Sequence, residues 1–220
     1  MKPSIARRAA LRTASTLWLA NAVASLLAAA DSPALPPPWQ HQDVGAVSVA
    51  GSASAAGDVF TLKGTLDIWG TNDGCHFAWQ TLKGDGAIIA CVLSVEQTQN
   101  HAKGGVAIRA SLESGAPHAS MVDTPTDGAQ FLVREKDGGA TTSQKTGLNR
   151  GTMPYWVKLV RAGDKLTGYE SADGKAWTQT GAATVKLPET VHIGLVASSH
   201  QKETLCAAAF DHVTVIRAAE

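Results

Sequence analysis

The run Tyr155 to Trp177 leaves this chain little choice of fold class. It reads Tyr-Trp-Val-Lys-Leu-Val-Arg-Ala-Gly-Asp-Lys-Leu-Thr-Gly-Tyr-Glu-Ser-Ala-Asp-Gly-Lys-Ala-Trp. Residues 155–161 are rich in β-branched and aromatic side chains and predict a strand. Ala162-Gly163-Asp164 turns the chain, with Gly163 free to take positive φ. Residues 165–171 return as a second strand, and Asp173-Gly174 is a hairpin signal before a third strand near Trp177. Three antiparallel strands in so short a span make a meander. The same grammar predicts strands at 47–50, 59–63, 75–82, 87–95, 105–110, 118–123, 130–135, 141–145, 191–197 and 209–216. Roughly 12 to 14 short strands between Gly, Asp and Asn turns, with no convincing helix, predict an all-β, two-sheet antiparallel sandwich. Two packed sheets would bury alternating positions, so Phe77 and Trp79 share one face and His76, Ala78 and Gln80 the other.

The first 30 residues do not fit this pattern. Lys2, Arg7, Arg8 and Arg12 precede the mostly apolar stretch 13–27, and Ala28-Ala29-Ala30 offers a cleavage site, which is the layout of an export signal. Ser15, Thr16, Asn21 and Ser25 dilute the apolar run, which is also shorter than a membrane span requires. No stable membrane insertion is therefore expected after cleavage. The arginine pair is a weak twin-arginine pattern, and the export route stays open. Residues 31–38 are Pro-rich and read as a spacer, leaving one domain at 39–217 and a periplasmic or secreted location. The first 30 residues hold four of the 19 basic residues and none of the 19 acidic ones, so the remainder has a formal charge of −4. That balance argues against nucleic acid and anionic membrane partners.

Chemistry-bearing motifs are few. Glycoside hydrolysis needs two carboxyl groups across one bond, and an alternating acidic strand would supply them. No such run occurs. Glu135 and Asp137 stand two apart, but at a strand end before Gly138-Gly139, where a solvated turn accounts for them. There is no Gly-x-Ser-x-Gly elbow. Cys75, Cys91 and Cys206 have no zinc-like spacing. Cys75 and Cys91 flank a predicted hairpin and so would lie on neighbouring strands. One disulfide with a free thiol and three reduced thiols both remain open.

The Trp156–Arg161 run, the Ser171-Ala172-Asp173-Gly174 turn and Trp177 resemble the C-terminal half of the bacterial secreted domains related to DUF1349. The resemblance continues through Pro38–Gly45, Asp67-Ile68-Trp69-Gly70, Gly105–Arg109 and Phe210–Val213, and so covers about Pro38 to Val215. It implies a concanavalin A-like (laminin G-like) jelly roll of a kind that often accompanies glycoside hydrolases. It also raises the expectation of a structural calcium, for which Asp43, Asp67, Asp73 and Asp211 offer oxygens without forming a loop motif.

Sugars are held by aromatic faces and planar polar groups, on a sheet face or at loop ends. Trp69 lies between Asp67 and the polar loop Asn72-Asp73, a strand end away from His76. Arg109 ends a strand and His118 opens one. If the sheet faces converge as in the resembling domains, Trp69, Asp73, His76, Arg109 and His118 line one polar patch. Three have a plainer reading: core or rim packing for tryptophan, a satisfied half-buried group for His76, a simple ion pair for Arg109. The reading that follows is non-catalytic, lectin-like carbohydrate binding. A structural or protein-interaction module of the envelope is the alternative, and a divergent glycoside hydrolase or lyase a third.

Overall fold

The computed structural model describes residues 33–218, so the expected export signal lies outside the described residues. Among the described residues, fourteen strands form two seven-stranded sheets. The first sheet comprises β1 (Gln40–Val44), β4 (Cys75–Lys83), β13 (Thr190–Ser198), β6 (Lys103–Arg109), β7 (His118–Asp123), β8 (Gln130–Arg134) and β9 (Thr142–Gln144), in that spatial order. The second runs β12 (Thr178–Thr184), β11 (Lys165–Ser171), β10 (Tyr155–Ala162), β5 (Gly86–Val95), β14 (Gln201–Arg217), β3 (Val59–Leu66) and β2 (Ser52–Ala56). Every neighbouring pair is antiparallel. The all-β sandwich expected from turn chemistry is the fold observed.

The meander behaves as its composition requires. In β10, Tyr155, Val157, Leu159 and Arg161 are buried while Trp156, Lys158 and Val160 are partly exposed, the period of two that a sheet imposes. Gly163 takes φ 60° between β10 and β11. In the next turn the Ser171 hydroxyl accepts the amides of Asp173 and Gly174, and Asp173 Oδ1 accepts those of Lys175 and Ala176. Short polar side chains thus replace the ladder where the backbone reverses.

Between the sheets lies the main core, which joins Ala78, Val106, Ile108, Met121 and Leu195 of the first sheet to Ile88, Val92, Val157, Leu159 and Phe210 of the second. A second apolar cluster sits on the outer face of the first sheet. It contains Cys75, Phe77, Trp79, Ala107, Val122, Leu132 and Val196, and is roofed by Ile68 and Leu112 from the loops. Phe77 and Trp79 do share a face, but it is the face turned away from the second sheet.

Three expectations change. The turn 83–86 does not close a hairpin: β4 belongs to the first sheet and β5 to the second, so Cys75 and Cys91 are not on neighbouring strands. Residues 46–51 are irregular where a strand at 47–50 was expected, because the chain there crosses between sheets, with the Gly51 amide on the Asp43 carboxylate and the Ser48 hydroxyl on the Lys202 carbonyl. The last strand starts at Gln201 rather than 209. Its polar, exposed first residues hide the alternation, and its pairing with β3 and β5 shifts register at three places.

Candidate functional site

Two polar groupings stand on the outer face of the first sheet, at opposite ends of the Phe77 cluster. At one end, register places Arg109, His118 and Arg134 side by side on β6, β7 and β8. Above them, the loop between β3 and β4 lowers Asp73 onto both guanidiniums: Arg109 Nη1 at 2.5 Å, Arg134 Nη2 at 2.7 Å and Arg134 Nη1 at 3.0 Å. His118 Nε2 is 3.5 Å from the same carboxylate. Burial opposes charge on Asp73, but the Arg109 and Arg134 guanidiniums outweigh it and hold its carboxyl below the usual range. Burial drives His118 down to about 3, so the imidazole is neutral and the arginines carry the compensation. The remaining guanidinium donors go to loop carbonyls and to the Thr141 hydroxyl. Arg109 donates to Ser111 and Glu113, and Arg134 to Gly70, Ser114 and Gly139. All four side chains are buried. This cluster pins three loops together and offers a ligand no surface.

At the other end, the face is open. A cavity of about 320 Å³ is floored by buried Lys103 and Gln130, from β6 and β8, and edged by exposed Ser143, from β9. Loops supply its walls: Asp67 and Trp69 after β3, His101 before β6, Asp127 before β8, Lys145 after β9, and His200 between β13 and β14. Asp67 accepts the buried Lys103 ammonium at 2.5 Å on one oxygen and His200 Nδ1 at 2.8 Å on the other. Asp127 lies 3.6 Å from His101 Nδ1 and 3.7 Å from Lys145 Nζ, and the rings of His101 and His200 meet edge to face at 5.3 Å. Leu66 and His200 both take left-handed backbone, φ 60° and 56°, and the His200 amide donates to the Leu66 carbonyl at 2.6 Å. Such residues cost about 1–3 kcal/mol each and persist where surroundings over-determine them. Trp69 is 46% exposed at the rim, between buried Ile68 and Gly70, whose carbonyl is held by Arg134.

The five residues expected to form one patch therefore part. Asp73, Arg109 and His118 do converge, but inside the buried pin. Trp69 lines the cavity. His76 faces the other way: its Nδ1 is 2.7 Å from Asp43 Oδ1 and its Nε2 2.9 Å from His41 Nδ1, beside Gly51, where an added Cβ would lie 2.4 Å from the ring. Burial lowers the His76 pKa despite Asp43. Sequence reasoning did not single out Lys103, Gln130, Ser143, Lys145 or His200 for binding, and the pairing of His200 with Asp67 spans 133 residues, so no local signal joins them.

The four aspartates that the sequence offers to calcium lie beside protein groups. Asp43 serves His76 and Gly51, Asp67 serves Lys103 and His200, Asp73 serves two arginines, and Asp211 lies 2.8 Å from His212. Among the described residues no cluster of three or more His, Cys, Asp or Glu side chains is placed to hold a metal.

One further polar group lies between the sheets. Asp123 accepts the Thr124 amide and the Asn149 side chain. Glu170 accepts the hydroxyls of Thr146, Thr180 and Tyr155. Burial, with the nearby Glu170, pushes Asp123 up to about 7 against these hydrogen bonds. The two carboxyl groups clip the 145–154 loop, one flank of the cavity, to the core.

Two facing antiparallel sheets with these crossovers define a concanavalin A-like jelly-roll sandwich. Solved structures similar to the chain include a protein of unknown function from Saccharomyces cerevisiae, at TM-score 0.63 and 14% identity over 82% of this chain and 98% of that one. The carbohydrate-binding module CBM66 from Bacillus subtilis matches at 0.53 and 14%, over 81% and 94% of the two chains. A β-glucanase from Bacillus licheniformis matches at 0.51 and 12%, over 82% and 92%. At these identities the likeness is one of fold. No family model matches the chain, and no curated protein matches it in sequence.

Proposed function

We propose that the protein is a non-catalytic carbohydrate-binding domain acting outside the cytoplasm, with its sugar site in the cavity beside Trp69. The observation that carries this reading is the half-exposed indole of Trp69 above a pocket walled by amide, hydroxyl, ammonium and carboxylate groups. An aromatic face suits the C–H patches of a sugar ring, and planar polar groups suit its hydroxyls. The amide of Gln130 and the hydroxyl of Ser143 make no side-chain hydrogen bond to another described residue, so both are available to a ligand. Ile68 and Gly70 fix Trp69 from either side, which lowers the ordering cost of binding.

A glycosidase needs one carboxyl group to protonate the leaving oxygen and another to attack or activate water. Asp67 has both oxygens occupied by Lys103 and His200, and Asp127 lies within ion-pair distance of His101 and Lys145. This favours binding over hydrolysis. The carbohydrate-binding module among the structural neighbours agrees with the reading. The basic-then-apolar pattern of residues 1–30 supports export.

A glycan array probed with wild-type protein and Trp69→Ala, each with and without Ca²⁺, tests this. Selective wild-type binding is expected, without need of Ca²⁺ and at least tenfold weaker in the variant, or about 1.4 kcal/mol. Absence of wild-type binding under both conditions, or equal binding by the variant, overturns it. Capture of an envelope protein without competition by sugar would then favour the interaction module.

A further inference from the structure

The outer face of the first sheet would be long enough for a run of sugar residues, but most of it is closed. Ile68 and Leu112 press from the loops onto Phe77, Trp79, Ala107 and Leu132 in its centre. Beyond them the Asp73 pin fills the far end. The roofing loops are also bonded to one another: the Asp73 amide to the Ser114 carbonyl at 2.8 Å, Thr141 to Gly70 at 2.7 Å and Gly138 to Gly115 at 2.9 Å. A polymer lying across the sheet would have to break this roof. What is left is a pocket, shut on the side of the sheet centre, with an entrance marked by its exposed lining groups, Trp69, His101, Ser143 and Lys145.

Its size agrees. Small-molecule sites commonly enclose roughly 300–1,000 Å³, and this one, at about 320 Å³, stands at the lower limit. We infer that the cavity takes the terminal residue of a glycan rather than the interior of a chain. This rests on the carbohydrate reading above and narrows it. The chain end enters past Trp69, its ring on the indole, with its hydroxyls toward Gln130 and Ser143. The rest of the polymer leaves through the entrance and makes little contact. The Asp67–Lys103–His200 set closes the inner wall, and the left-handed Leu66 and His200 hold Asp67 in place. A terminal residue presents hydroxyls that an internal one has lost to glycosidic bonds, which matches a pocket rich in both donors and acceptors.

The test separates chain ends from chain mass. Xylan, galactan, arabinan, β-glucan and dextran are each used intact and after partial acid hydrolysis, with ends counted by a reducing-end assay. Each preparation then competes, at equal mass, for the full-length wild-type protein on an array spot that it binds. An end-binder gains competition in the same fold as the ends gained. Competition that stays constant or weakens as the chains shorten overturns end recognition while leaving carbohydrate binding intact, because an interior site needs several adjoining residues. Absence of wild-type binding to every spot of the array overturns both.

Discussion

Asp123 and His118 show how the same burial acts in opposite directions on two side chains. Both are fully buried, and burial opposes charge. It raises the carboxyl of Asp123 from 3.8 to about 7 and lowers the imidazole of His118 from 6.5 to about 3. A raised carboxyl holds its proton in the native state while the unfolded chain releases it. Its contribution to stability is complete below about pH 4 and is lost as pH rises to about 7. A lowered imidazole costs stability as pH falls below about 6.5, because only the unfolded chain takes the proton. The two slopes partly cancel between about pH 4 and 6.5. Asp123→Asn keeps an acceptor for Asn149 and removes only the first slope. The stability of the variant relative to wild type should therefore rise by about 3 kcal/mol between pH 4 and pH 7, read by urea unfolding at both. A difference that does not change with pH would show that Asp123 is ionised in the fold.

Elements here are joined by loops that interlock, and the cost of loosening them can be measured. Gly151, in the loop before β10, has φ 85°, and a Cβ there would lie 2.0 Å from the Pro125 carbonyl in the loop before β8. Gly128 reciprocates with φ 71° and a Cβ position 2.0 Å from the Asn149 carbonyl. These loops carry Lys145 and Asp127 of the cavity. Gly151→Ala should cost upwards of about 2 kcal/mol, from the left-handed penalty plus displacement of Pro125. Gly163→Ala, at φ 60° in open space, should cost only about 1 kcal/mol. Equal costs by urea unfolding would mean the loops are not locked together. The same contrast explains what the residues reveal. The β10–β11 hairpin is legible because Gly163 and its strands are local. The turn 83–86 looks just as local, yet it carries the chain from one sheet to the other, since partnership is decided by β13 and β10 far along the chain. Trp69 is legible as an aromatic among polar neighbours, and Asp73, Arg109 and His118 as strand-end groups that meet. Their burial is not, because it depends on Arg134 and on hydrogen bonds among loops 70, 114 and 139.

At the scale of the whole molecule, the three cysteines mark three different layers. Cys75 lies in the cluster outside the first sheet, and Cys206 in the core between the sheets. Cys91 pairs in register with Trp156 and Asp211, next to the inward Ala90 and Val92, and so faces outward from the second sheet. A disulfide requires Cα atoms within about 7 Å and side chains directed at each other. No two of these thiols can meet without dismantling a sheet, so the fold resolves the pairing in favour of three free, buried cysteines. Burial also pushes their thiols up, Cys75 and Cys91 to about 12 and Cys206 to about 11, which leaves almost no thiolate near neutral pH. The folded protein should therefore resist both alkylation and oxidative cross-linking, a useful property for a domain proposed to work outside the cytoplasm. Iodoacetamide at pH 8 should leave the native protein unmodified by mass spectrometry and add three groups in denaturant. Prompt labelling of any one thiol in the native state would mean that its layer opens. A protein that takes up fewer than three groups when unfolded under non-reducing conditions would contain a disulfide that this arrangement of sheets forbids.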